Sequence, residues 1–118
     1  MKDSLIYTKS LAFGVRCVKF YIYLKEKGIY VLSKQFLRSG TSIGANIRES
    51  RFAQSPADFI SKLSIALKEA EETQYWLELM KQSDIIDEKE FLSLYNDVDE
   101  IIALLISTLK TYKTNQNV

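Results

Sequence analysis

Apolar residues recur along this chain at alternating spacings of three and four, in four blocks separated by short polar breaks. The third block is the most regular. Phe59, Leu63, Ala66, Ala70, Thr73, Leu77 and Met80 follow one another at spacings of 4, 3, 4, 3, 4 and 3, the repeat that keeps one helix face turned towards neighbours in a left-handed bundle. Its start is marked by Ser55 as N-cap, Pro56 as first helical residue and Asp58 reaching back. Its end is expected near Gln82. Tyr75 and Trp76 lie off the stripe, where they either widen the buried face or meet another chain. In the fourth block Asp87-Glu88-Lys89-Glu90 forms a second capping box. Phe91, Leu94, Val98, Ile101, Leu105 and Tyr112 follow, with Thr108 at the one polar position of the stripe and Ile102, Ile106 and Leu109 as a second apolar edge. Residues 114–118 are polar and expected to fray.

The first block, 4–27, is apolar on several sides. Leu11, Val15, Val18 and Ile22, spaced 4, 3 and 4, predict a core-facing stripe. Phe13, Phe20, Tyr21, Tyr23 and Leu24 spread apolar surface beyond it, as in a helix that is central or shared with another subunit. Lys25, Lys27 and then Gly28 read as a helix stop. The second block, 31–53, sorts into three faces at roughly 100° per residue. Leu32, Phe36, Gly40, Ile43 and Ile47 form the apolar face, and Lys34, Arg38 and Arg48 lie roughly opposite. Between them runs a line of polar groups, Gln35, Ser39, Ser42, Asn46 and Ser50, able to hydrogen-bond to a neighbouring helix or to serve as a partner site. Gly40 and Gly44 sit mid-helix, where each costs roughly 1 kcal/mol relative to Ala. That cost points to close approach of another backbone.

Four amphipathic helices, about 4–27, 31–53, 56–82 and 88–112, with loops of a few residues predict an all-α, antiparallel up-down-up-down four-helix bundle in one domain spanning 1–118. The extra apolar edges on the first and fourth helices exceed what a lone four-helix core needs and are expected to be buried between subunits, so a homo-oligomer is expected. The 47% hydrophobic and 26% charged composition fits an ordinary globular protein. The longest apolar run, 101–106, is far short of the roughly 20 residues that span a bilayer. With one cysteine and no apolar signal core, the expected compartment is the cytoplasm, with no membrane partner.

Charge is unevenly divided. Residues 1–54 carry ten Lys or Arg and three acids, a net +7, whereas 55–118 carry six Lys and twelve acids, a net −6. Either a basic helix pair packs beside an acidic pair, or the basic half meets an anionic partner such as nucleic acid. Lys34, Arg38, Arg48 and Arg51, with Lys9, Arg16 and Lys19, are the candidate phosphate contacts. The pI of about 7.7 lies below the value of about 9 usual for nucleic-acid-binding domains.

Catalytic chemistry finds little support. The chain has no histidine, which removes the commonest base and metal ligand and leaves Cys17 without a nucleophile's partner. Glu69 and Glu72 are spaced as in di-metal bundles, but the accompanying histidines are missing and the first two helices offer only Glu26 and Glu49. No phosphate-binding glycine loop is present. No enzyme, cofactor or metal is expected. Glu69 or Glu72 instead suits an ion pair with Arg38, near Asn46.

The stretch QFLRSGTSIGANIRES resembles the signature of the bacterial four-helix-bundle family encoded in intervening sequences of 23S ribosomal RNA genes. Gln35, Arg38, Ser39, Ser42, Ile43, Asn46, Ile47 and Glu49 match that family's second-helix pattern, and Asp58, Phe59, Ala66, Glu69 and Glu72 match its third helix. The resemblance covers about residues 5–112. Ser50 stands where the family often has Gly, and the first helix lacks the usual Lys-x-x-x-x-Trp opening. The resemblance implies a four-helix bundle, commonly a homopentamer around a central channel; it implies neither a ribosomal component nor an enzyme. A related branch, the accessory variability proteins of diversity-generating retroelements, binds nucleic acid and a reverse transcriptase, so both become candidate partners. An oligomeric bundle binding RNA or DNA through a basic face is one reading, and an oligomeric protein-interaction scaffold is the other.

Overall fold

A computed structural model describes the backbone of residues 2–116 and the side chains of 5–114. It contains four helices: α1 Lys2–Glu26, α2 Val31–Ser50, α3 Pro56–Gln82 and α4 Glu88–Gln116. They pack as a rod of 51 × 22 × 21 Å. Pairs that touch run in opposite chain order. Ser10 and Cys17 lie beside Gly44 and Gly40, Glu49 and Arg38 reach Lys62 and Glu72, and Phe59 and Lys81 meet Tyr112 and Glu88. Neighbouring helices are therefore antiparallel, in the four-helix bundle that the spacing predicts.

The helix ends follow local chemistry. Gly28, at φ 84°, closes α1: Ile29 N–H donates to Leu24 O at 3.0 Å and Gly28 N–H to Lys25 O at 2.9 Å, the paired bonds of a Schellman stop. Helix α2 ends at Ser50, three residues short of the predicted Ala53. There Arg51, Phe52 and Ala53 bond to carbonyls three residues back, a tightening that leaves the helical path. Ser55 caps α3 through its hydroxyl, which accepts from Asp58 N–H at 3.1 Å. Asp58 reaches back one residue further than a capping box requires, to Gln54 N–H. At α4 the box is reciprocal: Asp87 N–H donates to Glu90 and Glu90 N–H to Asp87. Helix α4 continues to Gln116, beyond the expected stop near Tyr112.

The core collects the predicted faces of three helices. Phe36, Ile43 and Ile47 of α2, Leu63, Ala66, Ala70, Leu77 and Met80 of α3, and Leu94, Val98, Ile101 and Leu105 of α4 are all buried. Helix α1 corrects the sequence expectation. Its buried face is Ile6, Ser10, Phe13, Cys17 and Leu24, whereas Leu11, Val15, Val18 and Ile22 are 44% to 58% exposed. The two faces lie roughly 140° apart around the helix. Both repeat at bundle spacing, so periodicity alone could not rank them. The buried one carries Phe13, which together with Phe20 is set edge-to-face with Phe36. It also places Lys9 and Arg16 beside α4, where Lys9 pairs with Glu100 at 2.9 Å and Arg16 with Asp97 at 2.6 Å.

Candidate functional site

The mid-helix glycines of α2 lie against α1. A methyl group at Gly40 would collide with the Cys17 sulfur, and one at Gly44 would sit 3.3 Å from the Ser10 carbonyl oxygen. Small residues thus let the two backbones approach closely. Burial of Cys17 pushes its thiol pKa up to about 12, against a smaller lowering by Arg16. It is a packed core group.

On the opposite flank α2 faces α3 through its polar line, which crosses less than its spacing suggests. Only Ser39 reaches the neighbour: the Thr73 hydroxyl lies 2.8 Å from it and itself bonds to Glu69 O. Ser42 donates to Arg38 O, Asn46 to Ser42 O and Ser50 to Ile47 O, all within α2. Asn46 therefore supports its own helix and takes no part in the Arg38 cluster. Arg38 donates to both carboxylates opposite it, to Glu69 at 3.3 and 3.4 Å and to Glu72. Glu72 also accepts from the Trp76 indole N–H at 3.0 Å, and Gln35 accepts from Arg38 Nε at 3.4 Å. Trp76 and exposed Tyr75 form an edge-to-face pair. Gln35, Arg38, Glu69 and Glu72 thus form one cluster across the α2–α3 seam, in which the charge of Arg38 is more than matched by two carboxylates.

The candidate phosphate contacts divide accordingly. Lys9, Arg16 and Arg38 are taken up by Glu100, Asp97 and the Glu69–Glu72 pair. To that extent the charge asymmetry is spent between helices of one chain. Arg48 and Arg51 instead stack on Tyr7 of α1, their guanidinium carbons 4.9 and 4.6 Å from the ring centre. Neither they nor Lys34 has a carboxylate partner among the described residues. Glu49 pairs with Lys62 at 3.2 Å. The Tyr7 stack was not legible in sequence: the antiparallel bundle sets the start of α1 beside the end of α2, but no residue pattern marks Tyr7 as the ring both arginines meet.

Two hollows flank Tyr7. A groove of about 290 Å³ runs between α1 and α2 and is lined by Leu11, Gly14, Val15, Val18, Thr41 and Ala45, with Arg48 at one end. Its α1 wall includes Leu11, Val15 and Val18 of the exposed stripe, and among the described residues nothing lies within 4 Å of where a Gly14 side chain would begin. The second hollow, of about 550 Å³, opens at the end of the bundle beside Arg51. Among the described residues no cluster of His, Cys, Asp or Glu could hold a metal ion, and no helix is long and apolar enough to cross a membrane.

The match to a family model decides the chain's affiliation: the model of the 23S rRNA-intervening sequence protein covers residues 2–107. The chain belongs to the 23S rRNA-intervening sequence protein family. A solved structure from Bacteroides thetaiotaomicron, described as a protein of unknown function from the S23 ribosomal protein family, is similar. It is 57% identical, covers 93% of this chain and 99% of its own, and superposes with a TM-score of 0.92. No curated protein matches the chain. Membership fixes the four-helix fold and brings no catalytic assignment, since the solved relative is itself of unknown function.

Proposed function

We propose that this intervening-sequence protein is a non-enzymatic helical bundle that assembles with copies of itself through the outer face of α1. The observation that carries the reading is the stripe Leu11, Val15, Val18 and Ile22, exposed along one side of a helix whose other side already fills the core. Between its first and last members it extends about 16 Å. Contiguous exposed apolar surface of this kind marks an interface in stable proteins. The groove beside it, floored by Gly14, Thr41, Gly44 and Ala45, offers a depression into which another helix can set its side chains. The pentamer implied by the family resemblance is the expected assembly. Sedimentation equilibrium tests the reading: the mass should be a multiple of 13.6 kDa, and Val15→Glu should reduce it to the monomer with helicity retained. A wild-type monomer at micromolar concentration would contradict it.

A second reading, binding of RNA or DNA, is favoured by the Tyr7 corner, where Arg48 and Arg51 both lie over the Tyr7 ring with no acidic partner among the described residues. Phosphate contacts of this kind weaken as salt rises. Low-salt gel shifts with RNA and DNA test it, and no shift at low salt would remove it. The scaffold reading, an oligomer with a protein partner such as a reverse transcriptase, would then stand alone.

A further inference from the structure

We infer that the hollow at the end of the bundle, between the α2–α3 turn and the last turns of α4, is a nucleotide-sized site that takes a planar base on its aromatic wall and a phosphate at Arg51. The inference deepens the nucleic-acid reading of the Tyr7 corner and rests on it. The hollow has a volume of about 550 Å³, within the range of roughly 300–1,000 Å³ typical of small-ligand pockets. Its surface is divided in the way a nucleotide is divided. Phe59 and Tyr112 form one wall, their rings 4.4 Å apart between centres, and Ile47 and Leu63 supply apolar floor. A base gains by stacking on such a wall whatever its identity.

The rim carries the complementary chemistry. Arg51 and Gln54 line the opening, and Tyr7 holds the Arg51 guanidinium from the α1 side at 4.6 Å. A guanidinium fixed by stacking keeps its N–H groups free to donate, and a phosphate matches that fork. The acids nearest Arg51 in sequence are engaged elsewhere, Glu49 by Lys62 and Asp58 by Gln54 N–H. Phe52 projects from the same turn with 80% of its surface exposed. It contributes little to the packed monomer and stands beside Arg51 as a platform for a second base. One nucleotide in the hollow and a neighbour on Phe52 would follow the chain of a single strand around the corner. The chemistry could also be met by a free mononucleotide.

Titrating the full-length protein at low salt with adenosine 5′-monophosphate and with a labelled oligothymidylate separates these sources. The oligonucleotide should bind. Tyr112→Ala and Arg51→Gln should each weaken it by about tenfold, the scale of one lost base stack or charged contact. Arg51→Lys should restore part of the loss, and Lys89→Gln, at the far end of the rod, should change nothing. If the mononucleotide alone binds, with the same sensitivity, the site stands and its ligand is the free nucleotide. Oligonucleotide binding that ignores both substitutions would overturn the site while leaving the nucleic-acid reading intact. Failure of both probes to bind would overturn site and reading together. Thermal melts of each variant guard against misfolding, and Arg51→Gln, on an exposed side chain, keeps the test decisive if Tyr112→Ala fails to fold.

Discussion

Gly40 of α2 and Cys17 of α1 occupy a single space: a methyl group on the glycine would run into the buried sulfur. The glycine's helix penalty is therefore offset by contact that no larger residue could make there. Gly40→Ala should destabilise the bundle by about 1–3 kcal/mol, the usual cost of overpacking. In a Cys17→Ala background the sulfur is gone, and the same substitution should become neutral or stabilise by up to about 1 kcal/mol through helix propensity. Chemical denaturation of the four proteins measures the coupling. Equal effects of Gly40→Ala in both backgrounds would show that the two residues do not compete.

Burial of Cys17 also sets a pH dependence. The thiol stays protonated in the folded chain up to about pH 12, whereas its ordinary pKa is 9.0. As pH rises above that ordinary value the unfolded chain loses the proton first, so stability is full below it and falls towards pH 12. Between pH 8 and 10 wild type should lose more stability than Cys17→Ala, a difference that cancels the titration of Tyr and Lys common to both. The thiol should resist iodoacetamide in the folded protein and react once denatured.

Arg38 behaves as a bridge between helices. Its side chain is 49% exposed while Glu69 is 18% exposed, so the net gain is limited by solvent screening to about 1 kcal/mol. Arg38→Ala should cost about that much, and an Arg38–Glu72 double-mutant cycle should recover part of it as coupling. Because its charge is already compensated, Arg38→Ala should leave affinity for a polyanion unchanged, whereas Arg48→Ala should lower it. Gel shifts with each variant check the contrast.

Asp84 closes α3 with φ at 60°, in the left-handed region that favours glycine. Ile85 N–H donates to Met80 O at 2.9 Å and Asp84 N–H to Lys81 O at 3.1 Å. The same stop is made by Gly28 after α1. Asp84→Gly should therefore raise stability by about 0.5–1 kcal/mol, read as an increase in melting temperature.

Sequence spacing placed α2, α3 and α4 well because in each the main stripe is the buried one; of the second edge of α4, Leu109 and Ile102 join the core of the monomer and Ile106 stays half exposed. Leu63 to Met80 have no rival stripe, and the capping boxes mark where α3 and α4 begin. The glycine pair and the Arg38–Glu69–Glu72 cluster were legible for a related reason: each is a residue choice that makes sense only against a neighbouring helix. Helix α1 misled because Leu11, Val15, Val18 and Ile22 have the same period as Phe13, Cys17 and Leu24. The signals that separate them are the polar neighbours. Lys9 and Arg16, seven apart, must face Ser93, Asp97 and Glu100 on α4, and this fixes the rotation. The Tyr7–Arg48–Arg51 stack and the end hollow were hidden because they join residues far apart in sequence that no spacing pattern links.

The misread stripe now carries the main proposal, and Gly14 offers a companion test of it. Among the described residues nothing lies within 4 Å of a side chain begun at that position, so Gly14→Ala should stabilise the monomer by up to about 1 kcal/mol. If the groove seats another copy, the same methyl group should weaken assembly. Dilution series followed by native mass spectrometry read both effects in one protein.

The most direct measurement of where copies meet is thiol labelling of Val15→Cys in a Cys17→Ala background, with Tyr75→Cys as the exposed control on α3. Position 15 should react rapidly when the protein is diluted to monomer and become protected as it assembles, while position 75 stays open throughout. Equal reactivity at position 15 across the whole concentration range, in a protein whose mass shows assembly, would place the interface elsewhere and contradict the account.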